Sequence, residues 1–110
     1  NLAKINRVVV PFADCKEFTS NYIFPIIVKD STKGQRNALR EYIHTQGIQT
    51  SVHYPAAHHF STYKELYALL PQTDYVTDNE VTLPMYAALT MEQVDFICEV
   101  VANGIKEIYG

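Results

Sequence analysis

The amino-acid sequence predicts an α+β domain in which a small, mainly antiparallel sheet carries helices mostly on one face. Two segments rich in valine and isoleucine, residues 7–12 and 22–29, are typical of strands. The short polar link between them favours antiparallel pairing. Shorter extended segments follow at residues 48–54 and 80–83. Helical periodicity is found in three further stretches, residues 33–46, 60–70 and 91–109.

The two opening strands each contain a proline, which restricts their place in the sheet. Pro11 lies near the end of the first strand, and Pro25 lies inside the second. Because proline has no N–H to donate, we expect each of them at a sheet edge or at a bulge.

The first helix is predicted over residues 33–46. Three cap candidates precede it, namely Asp30, Ser31 and Thr32. Leu39 and Ile43 are four residues apart and therefore share one face, while Arg36 is expected to be a solvated helix residue. Gly47 suits the left-handed position that ends many helices.

The middle of the chain is predicted to be a strand followed by a second helix. Residues 48–54 form an extended pattern that ends before Pro55. Residues 60–70 have helical spacing, with Pro71 closing the helix. Its apolar face would consist of Tyr63, Leu66, Tyr67 and Leu70. Residues 73–79 are predicted to hold no more than a short helical turn.

The last helix has the clearest signature in the chain, over residues 91–109. Thr90 and Gln93 fit a capping box at its start. A continuous apolar stripe follows, formed by Val94, Ile97, Val101, Ile105 and Ile108. Gly104 lies inside this helix and is expected to weaken it slightly without ending it.

Length and composition exclude several classes of protein. The 110 residues are 47% hydrophobic and 19% charged, which suits one globular domain. The net charge is −3, and the 9 basic residues are scattered, so nucleic acid is not an expected partner. Apolar runs such as residues 22–28 are too short for a membrane span. Cys15 and Cys98 belong to no C-x-x-C pair, which favours free thiols and a cytoplasmic location.

Residues 53–59, His-Tyr-Pro-Ala-Ala-His-His, are the densest polar cluster, with three of the chain's four histidines. Four interpretations remain open: a metal site, a nucleophile–base pair of Ser51 with His53, surface histidines around a buried Tyr54, or contact with a polar ligand. No metal site is predicted, because His58 and His59 would point apart if they lay on a strand.

Four segments together resemble the C-terminal part of the DegT/DnrJ/EryC1/StrS aminotransferases. They are residues 21–26, Asn-Tyr-Ile-Phe-Pro-Ile; Arg36 and Leu39 leading to residues 47–55, Gly-Ile-Gln-Thr-Ser-Val-His-Tyr-Pro; His58 with Tyr63; and residues 81–86, Val-Thr-Leu-Pro-Met-Tyr, with Leu89, Thr90, Gln93 and Val94. The similarity covers nearly the whole chain, and its specificity comes from the combination of segments.

This resemblance implies that residues 1–110 are the C-terminal small domain of a fold type I aminotransferase. The large domain, with its pyridoxal phosphate and Schiff-base lysine, would lie outside the chain, since the context of Lys64 does not match that lysine motif. Such enzymes usually aminate keto-sugars attached to nucleotides, with glutamate as the expected donor, and usually form homodimers. The chain alone is therefore expected to be inactive and to bind no pyridoxal phosphate.

The resemblance also identifies the candidate site residues. His53, Tyr54 and His58 match positions expected to contact substrate, through sugar hydroxyls or the nucleotide diphosphate, and no catalytic residue is assigned. His59 matches a variable position and is expected at the surface. The alternative function is a stand-alone α+β binding or interaction module without cofactor, and a histidine-based metal-binding domain is a third.

Overall fold

Three antiparallel strands form a single sheet in the computed structural model, which describes residues 1–66 and 69–110. They are β1 (Val8–Val9), β2 (Phe24–Val28) and β3 (Glu80–Leu83), with β2 in the middle. Val8 lies opposite Val28, and Ile26 lies opposite Val81. The antiparallel pairing of the first two strands is confirmed, although only two residues of the predicted first strand join the sheet.

Pro25 lies in the central strand, yet it has a neighbour on one side only. It is opposite Thr82 of β3, whereas β1 pairs with Ile27 and Val28 and does not reach it. Because β1 is so short, the part of β2 that contains Pro25 has no neighbouring strand on the β1 side. Pro25 therefore has the unpaired side that we expected, although β2 is the central strand. Pro11 lies beyond the end of β1.

Three α-helices accompany the sheet: α1 (Lys33–Thr45), α2 (Pro71–Asn79) and α3 (Met91–Tyr109). α1 and α3 pack on each other and on the sheet. The core between them consists of Val8, Ile26, Val28, Leu39, Ile43, Ile48, Val81, Leu83, Ile97, Val100, Val101 and Ile105. The predicted α+β fold class is confirmed.

Both long helices begin with the same capping box. The main-chain N–H of Gln35 donates to Thr32 Oγ1 at 3.2 Å, and Thr32 N donates to Gln35 Oε1 at 3.0 Å. Thr90 and Gln93 repeat this exchange at 3.2 and 2.9 Å. The predicted starts of α1 and α3 are confirmed because each cap satisfies two groups that would otherwise lack partners.

The prediction for residues 60–70 was wrong. Ser61–Leu66 form a 3₁₀ helix, and α2 begins at Pro71 instead of the chain breaking there. Tyr63, Leu66 and Leu70 are exposed, so the described part of this segment buries no apolar face that would support a longer helix. Proline is favoured in the first turn of a helix, where its missing N–H would have no partner. Tyr67, which was predicted to lie on the same apolar face, is outside the described residues.

No helix in the described ranges combines the length and apolar character needed to cross a bilayer. Cys15 and Cys98 are free thiols, Cys15 at the surface and Cys98 partly covered.

Candidate functional site

The segment that precedes His53 joins the free edge of β3 at one point. Ser51 N donates to Thr82 O at 3.1 Å, and Thr82 N donates to Ser51 O at 2.8 Å. This single bridge replaces the strand predicted over residues 48–54. The chain then turns away from the sheet, so His53 and Tyr54 are in a loop that is anchored beside β3.

Two buried polar side chains of β3 hold His53 in place. Glu80 and Thr82 are 3% and 6% exposed. The main-chain N–H of His53 donates to Glu80 Oε2 at 3.0 Å, and His53 Nδ1 lies 2.9 Å from Thr82 Oγ1. Thr82 Oγ1 in turn donates a short hydrogen bond to Glu80 Oε1. Both the backbone and the ring of His53 are therefore fixed by one strand.

This hydrogen-bond chain determines which nitrogen of the His53 ring carries the proton. Thr82 donates its single hydroxyl proton to Glu80 Oε1. Thr82 Oγ1 must then accept from His53, which makes Nδ1 the donor. A neutral imidazole with its proton on Nδ1 has a free lone pair on Nε2. In its neutral form, His53 therefore offers an acceptor to a ligand.

Tyr54 extends from the same loop into solvent. Its side chain is 61% exposed, which corrects the interpretation in which a buried Tyr54 is surrounded by surface histidines. The peptide bond between His53 and Tyr54 is cis, and their rings meet edge to face with centroids 4.8 Å apart. A hydrogen bond with the hydroxyl of Tyr22 raises the pKa of Tyr54 above its ordinary value. Tyr54 is protonated at neutral pH, as an ordinary phenol is, and its single proton could be donated to a ligand oxygen in place of Tyr22.

His58 belongs to a second group of side chains, with His59 and Asp74. Asp74 Oδ1 lies 2.8 Å from His58 Nε2 and 3.0 Å from His59 Nε2. The expectation that the two imidazoles point apart was wrong, because Ala57–His59 form a 3₁₀ turn and not a strand. Their ring centroids are 4.2 Å apart.

Asp74 was not among the predicted site residues, because the length of the helix that carries it was underestimated. It lies in the first turn of α2, within a segment for which only a short turn was predicted. The signal that could have revealed it was Pro71, a residue favoured at the first helical position, followed three residues later by an acidic side chain.

Arg36 is buried rather than solvated, at 3% exposure. Its Nη1 donates to the main-chain oxygens of Thr77 and Glu80 at 3.0 and 2.8 Å. Burial is the main reason that the pKa of Arg36 is lowered. The guanidinium fixes the end of α2 and the start of β3, and so it supports the strand that holds His53.

Comparison with known proteins relates these features to an enzyme family. A model of the DegT/DnrJ/EryC1/StrS aminotransferase family matches residues 1–102. The chain belongs to this family. Members of the DegT/DnrJ/EryC1/StrS family are pyridoxal-phosphate-dependent aminotransferases, and one solved neighbour is described in its PMP-form.

Two comparisons with Helicobacter pylori proteins show what fraction of a family member's length this chain covers. It is 29% identical over 84 residues to UDP-4-amino-4,6-dideoxy-N-acetyl-beta-L-altrosamine transaminase, covering 74% of this chain and 22% of that protein. The structure of PseC, an aminotransferase involved in the biosynthesis of pseudoaminic acid, matches with a TM-score of 0.85 and 26% identity. That match covers 96% of this chain and 29% of PseC.

In a comparison with a Streptococcus pneumoniae structure, this chain again covers less than a third of the other protein. The apo-form of the sugar aminotransferase Spr1654, described as putative, matches with a TM-score of 0.74 and 26% identity, covering 79% of this chain and 23% of that one. The chain therefore spans less than a third of the length of each of these relatives.

The residues present do not fit the family's cofactor on their own. Covalent attachment of pyridoxal phosphate requires a lysine amine held in a site where it can be neutral. All six lysines of this chain are exposed, namely Lys4, Lys16, Lys29, Lys33, Lys64 and Lys106. Arg40, like Arg36, directs its guanidinium to a main-chain oxygen, that of Thr50 at 3.0 Å.

Proposed function

We propose that residues 1–110 are the C-terminal small domain of a larger pyridoxal-phosphate-dependent aminotransferase that acts on nucleotide-linked keto-sugars. The family match over residues 1–102 supports the reaction class, and the names of the two Helicobacter pylori relatives support the sugar substrate. The small share of each relative that the chain covers supports a large domain elsewhere in the same enzyme. Glutamate as donor, a homodimeric parent and a cytoplasmic location belong to the same proposal.

The proposed task of this domain is to form the substrate-side wall of the active site. The observation that carries this role is the fixed His53 ring, whose Nδ1 is 2.9 Å from Thr82 Oγ1. Its Nε2 lone pair would accept a hydrogen bond from a sugar hydroxyl. The exposed phenol of Tyr54 would donate to a hydroxyl or diphosphate oxygen.

A neighbouring surface beyond Thr82, which His53 and Tyr54 do not themselves line, suits a sugar better than a strongly charged ligand. A depression of about 460 Å³ adjoins the Ser51–Thr82 bridge and includes Tyr86 of the motif that follows β3. Its lining has hydroxyl, amide and aromatic groups and one imidazole, and no group with a fixed charge. Such surfaces combine apolar contact with neutral hydrogen bonds. His58 remains in the proposed wall as the residue that matches the family, although its Nε2 is directed at Asp74.

No catalytic residue is proposed within this chain, and the chain alone is proposed to be inactive. The exposed positions of all six lysines support this, because none is enclosed by other groups. Mixing the chain with pyridoxal phosphate should produce no stoichiometric absorbance band from lysine-bound cofactor. A band that one lysine substitution abolishes would contradict the proposal.

The main test is the kinetics of the full-length enzyme with His53→Ala. A binding role predicts that KM for the nucleotide sugar rises about three- to tenfold, as expected for one lost hydrogen bond, while kcat changes less. Glu41→Ala is the control, since Glu41 is exposed on α1 and does not line the depression beside Thr82. Unchanged kinetics for His53→Ala, or an equal effect in the control, would exclude His53 from the wall.

A further inference from the structure

Three metal-ligating atoms meet where the Ala57–His59 turn faces the start of α2. They are Nε2 of His58, Nε2 of His59 and Oδ1 of Asp74, all within 4.8 Å of one another. The two nitrogens lie 2.8 and 3.0 Å from the carboxylate oxygen. Ligands on a tetrahedral zinc ion are about 3.3 Å apart, because each bond is about 2.0–2.1 Å long. The two separations from Asp74 are a few tenths of an ångström shorter than this, whereas the two imidazole nitrogens, up to 4.8 Å apart, would have to move closer together to share one ion.

The buried atoms of this group lack partners of acceptable hydrogen-bond geometry. The His58 side chain is 10% exposed, and its Nε2 and Asp74 Oδ1 are both buried without a hydrogen bond among the described residues. Their 2.8 Å contact is close but poorly directed. Leaving such atoms without partners is unfavourable, and a coordinated cation would satisfy both.

We propose that His58, His59 and Asp74 bind a divalent transition-metal ion, with zinc the best match. Two imidazoles and one carboxylate are ligands that zinc accepts, and three protein ligands leave one position for water. The His59 side chain is 58% exposed, so the group can be reached from solvent at that ligand. The site uses Nε2 of His58, a residue also assigned to the proposed substrate wall, but its zinc binding can be measured without aminotransferase activity.

The test is zinc binding to the untagged 110-residue chain, stripped with a chelator and followed by isothermal titration calorimetry. At about pH 7.5 we expect one zinc ion per chain. At about pH 5 binding should weaken, because the imidazoles must lose their protons to bind metal. His59→Ala and Asp74→Asn should each lower the affinity about tenfold or more. His44→Ala, which removes the one histidine outside residues 53–59, should leave it unchanged.

His59→Ala is the decisive variant because its side chain is the most exposed of the three and its loss should not unfold the domain. Far-UV circular dichroism checks that each variant keeps its helices. The proposal is overturned if the unchanged chain binds no zinc, if His59→Ala binds zinc as tightly as the unchanged chain, or if His44→Ala loses as much affinity. None of these readouts depends on aminotransferase activity, so the two proposals can fail separately.

Discussion

The guanidinium of Arg36 donates to the main-chain oxygen of Glu80 across 2.8 Å, in a site where both residues are 3% exposed. The carboxylate of Glu80 accepts from the backbone of His53 and from the hydroxyl of Thr82. A residue on α1 is thus connected through the first residue of β3 to the loop that presents His53. Glu80 consequently connects the helix α1 of the core with the loop of the candidate site through hydrogen bonds.

Replacing Arg36 with methionine should destabilise the domain by about 2–4 kcal/mol. The change keeps much of the side-chain volume but leaves the oxygens of Thr77 and Glu80 without their donor, at about 1–3 kcal/mol each when buried. Urea unfolding measures the difference. Lys33→Met, on the same helix at an exposed position, should change stability by less than about 0.5 kcal/mol. Equal effects of the two substitutions would show that the hydrogen bonds of Arg36 contribute nothing.

Two glycines in helices should respond to alanine with opposite signs. A Cβ at Gly104 of α3 would lie 2.7 Å from Leu39 Cδ1 and 2.8 Å from Tyr42 Cδ1, both on α1. The gain in helix propensity is about 1 kcal/mol, but forcing a methyl group into a packed interface costs about 1–3 kcal/mol. We expect Gly104→Ala to destabilise the domain by about 1 kcal/mol.

Gly34→Ala supplies the control for that prediction. The nearest atom to a Cβ at Gly34 is Thr32 Oγ1 at 3.8 Å, an ordinary contact. The same gain in propensity should therefore appear unopposed, as a stabilisation of up to about 1 kcal/mol. Thermal and urea unfolding of both variants measure whether each substitution raises or lowers the free energy of unfolding. Stabilisation by Gly104→Ala would mean that α1 and α3 do not approach as closely as described.

The sequence was sufficient for elements whose signals are local. α3 was predicted from the capping box of Thr90 and Gln93, and α1 from its cap candidates, its apolar face and Gly47, none of which needs a distant partner. The capping box of Thr32 with Gln35 was not predicted, although the sequence contains it. The position of Pro25 was also foreseen, since a missing N–H restricts a strand wherever it lies. These features depend on neighbours in sequence, so one chain contains the information.

The features that were missed depend on contacts between distant residues. Residues 48–54 have strand composition, but only Ser51 reaches the edge of β3. Burial of Arg36 depends on the oxygens of Thr77 and Glu80, more than forty positions away in the sequence. His53 and Tyr54 could be selected from the sequence, whereas Glu80, Thr82 and Asp74 acquire their roles only when the chain folds.

Tyr54 should ionise at lower pH when Tyr22 is replaced by phenylalanine. The hydrogen bond with Tyr22 is the main cause of the raised pKa of Tyr54, and its loss should return that pKa toward the ordinary value. Since the folded pKa is the higher one, the stabilisation is present below the unfolded pKa of about 10 and disappears as the pH rises through the folded pKa. NMR titration of ¹³C-labelled tyrosine measures the pKa of Tyr54 in the unchanged chain and in Tyr22→Phe, and Tyr54→Phe identifies its signal. An unchanged titration in Tyr22→Phe would contradict the contact.

Thr82→Val should change the tautomer of His53. With Thr82 present, its hydroxyl proton is committed to Glu80 and Nδ1 of His53 must donate. Valine is similar in shape but accepts no hydrogen bond, so nothing then fixes the proton on Nδ1. We expect ¹⁵N spectra of the neutral ring to show mainly Nδ1–H in the unchanged chain and a substantial Nε2–H population in the variant.

His44 provides an internal control in the same spectra, because its Nε2 contacts Thr50, which Thr82→Val leaves intact. Its signals should not change. If His53 has its proton on Nε2 in the unchanged chain, the direction of the hydrogen-bond chain from Glu80 is wrong. His53 would then offer a substrate a donor instead of an acceptor, and the proposed contact with a sugar hydroxyl would have to be reversed.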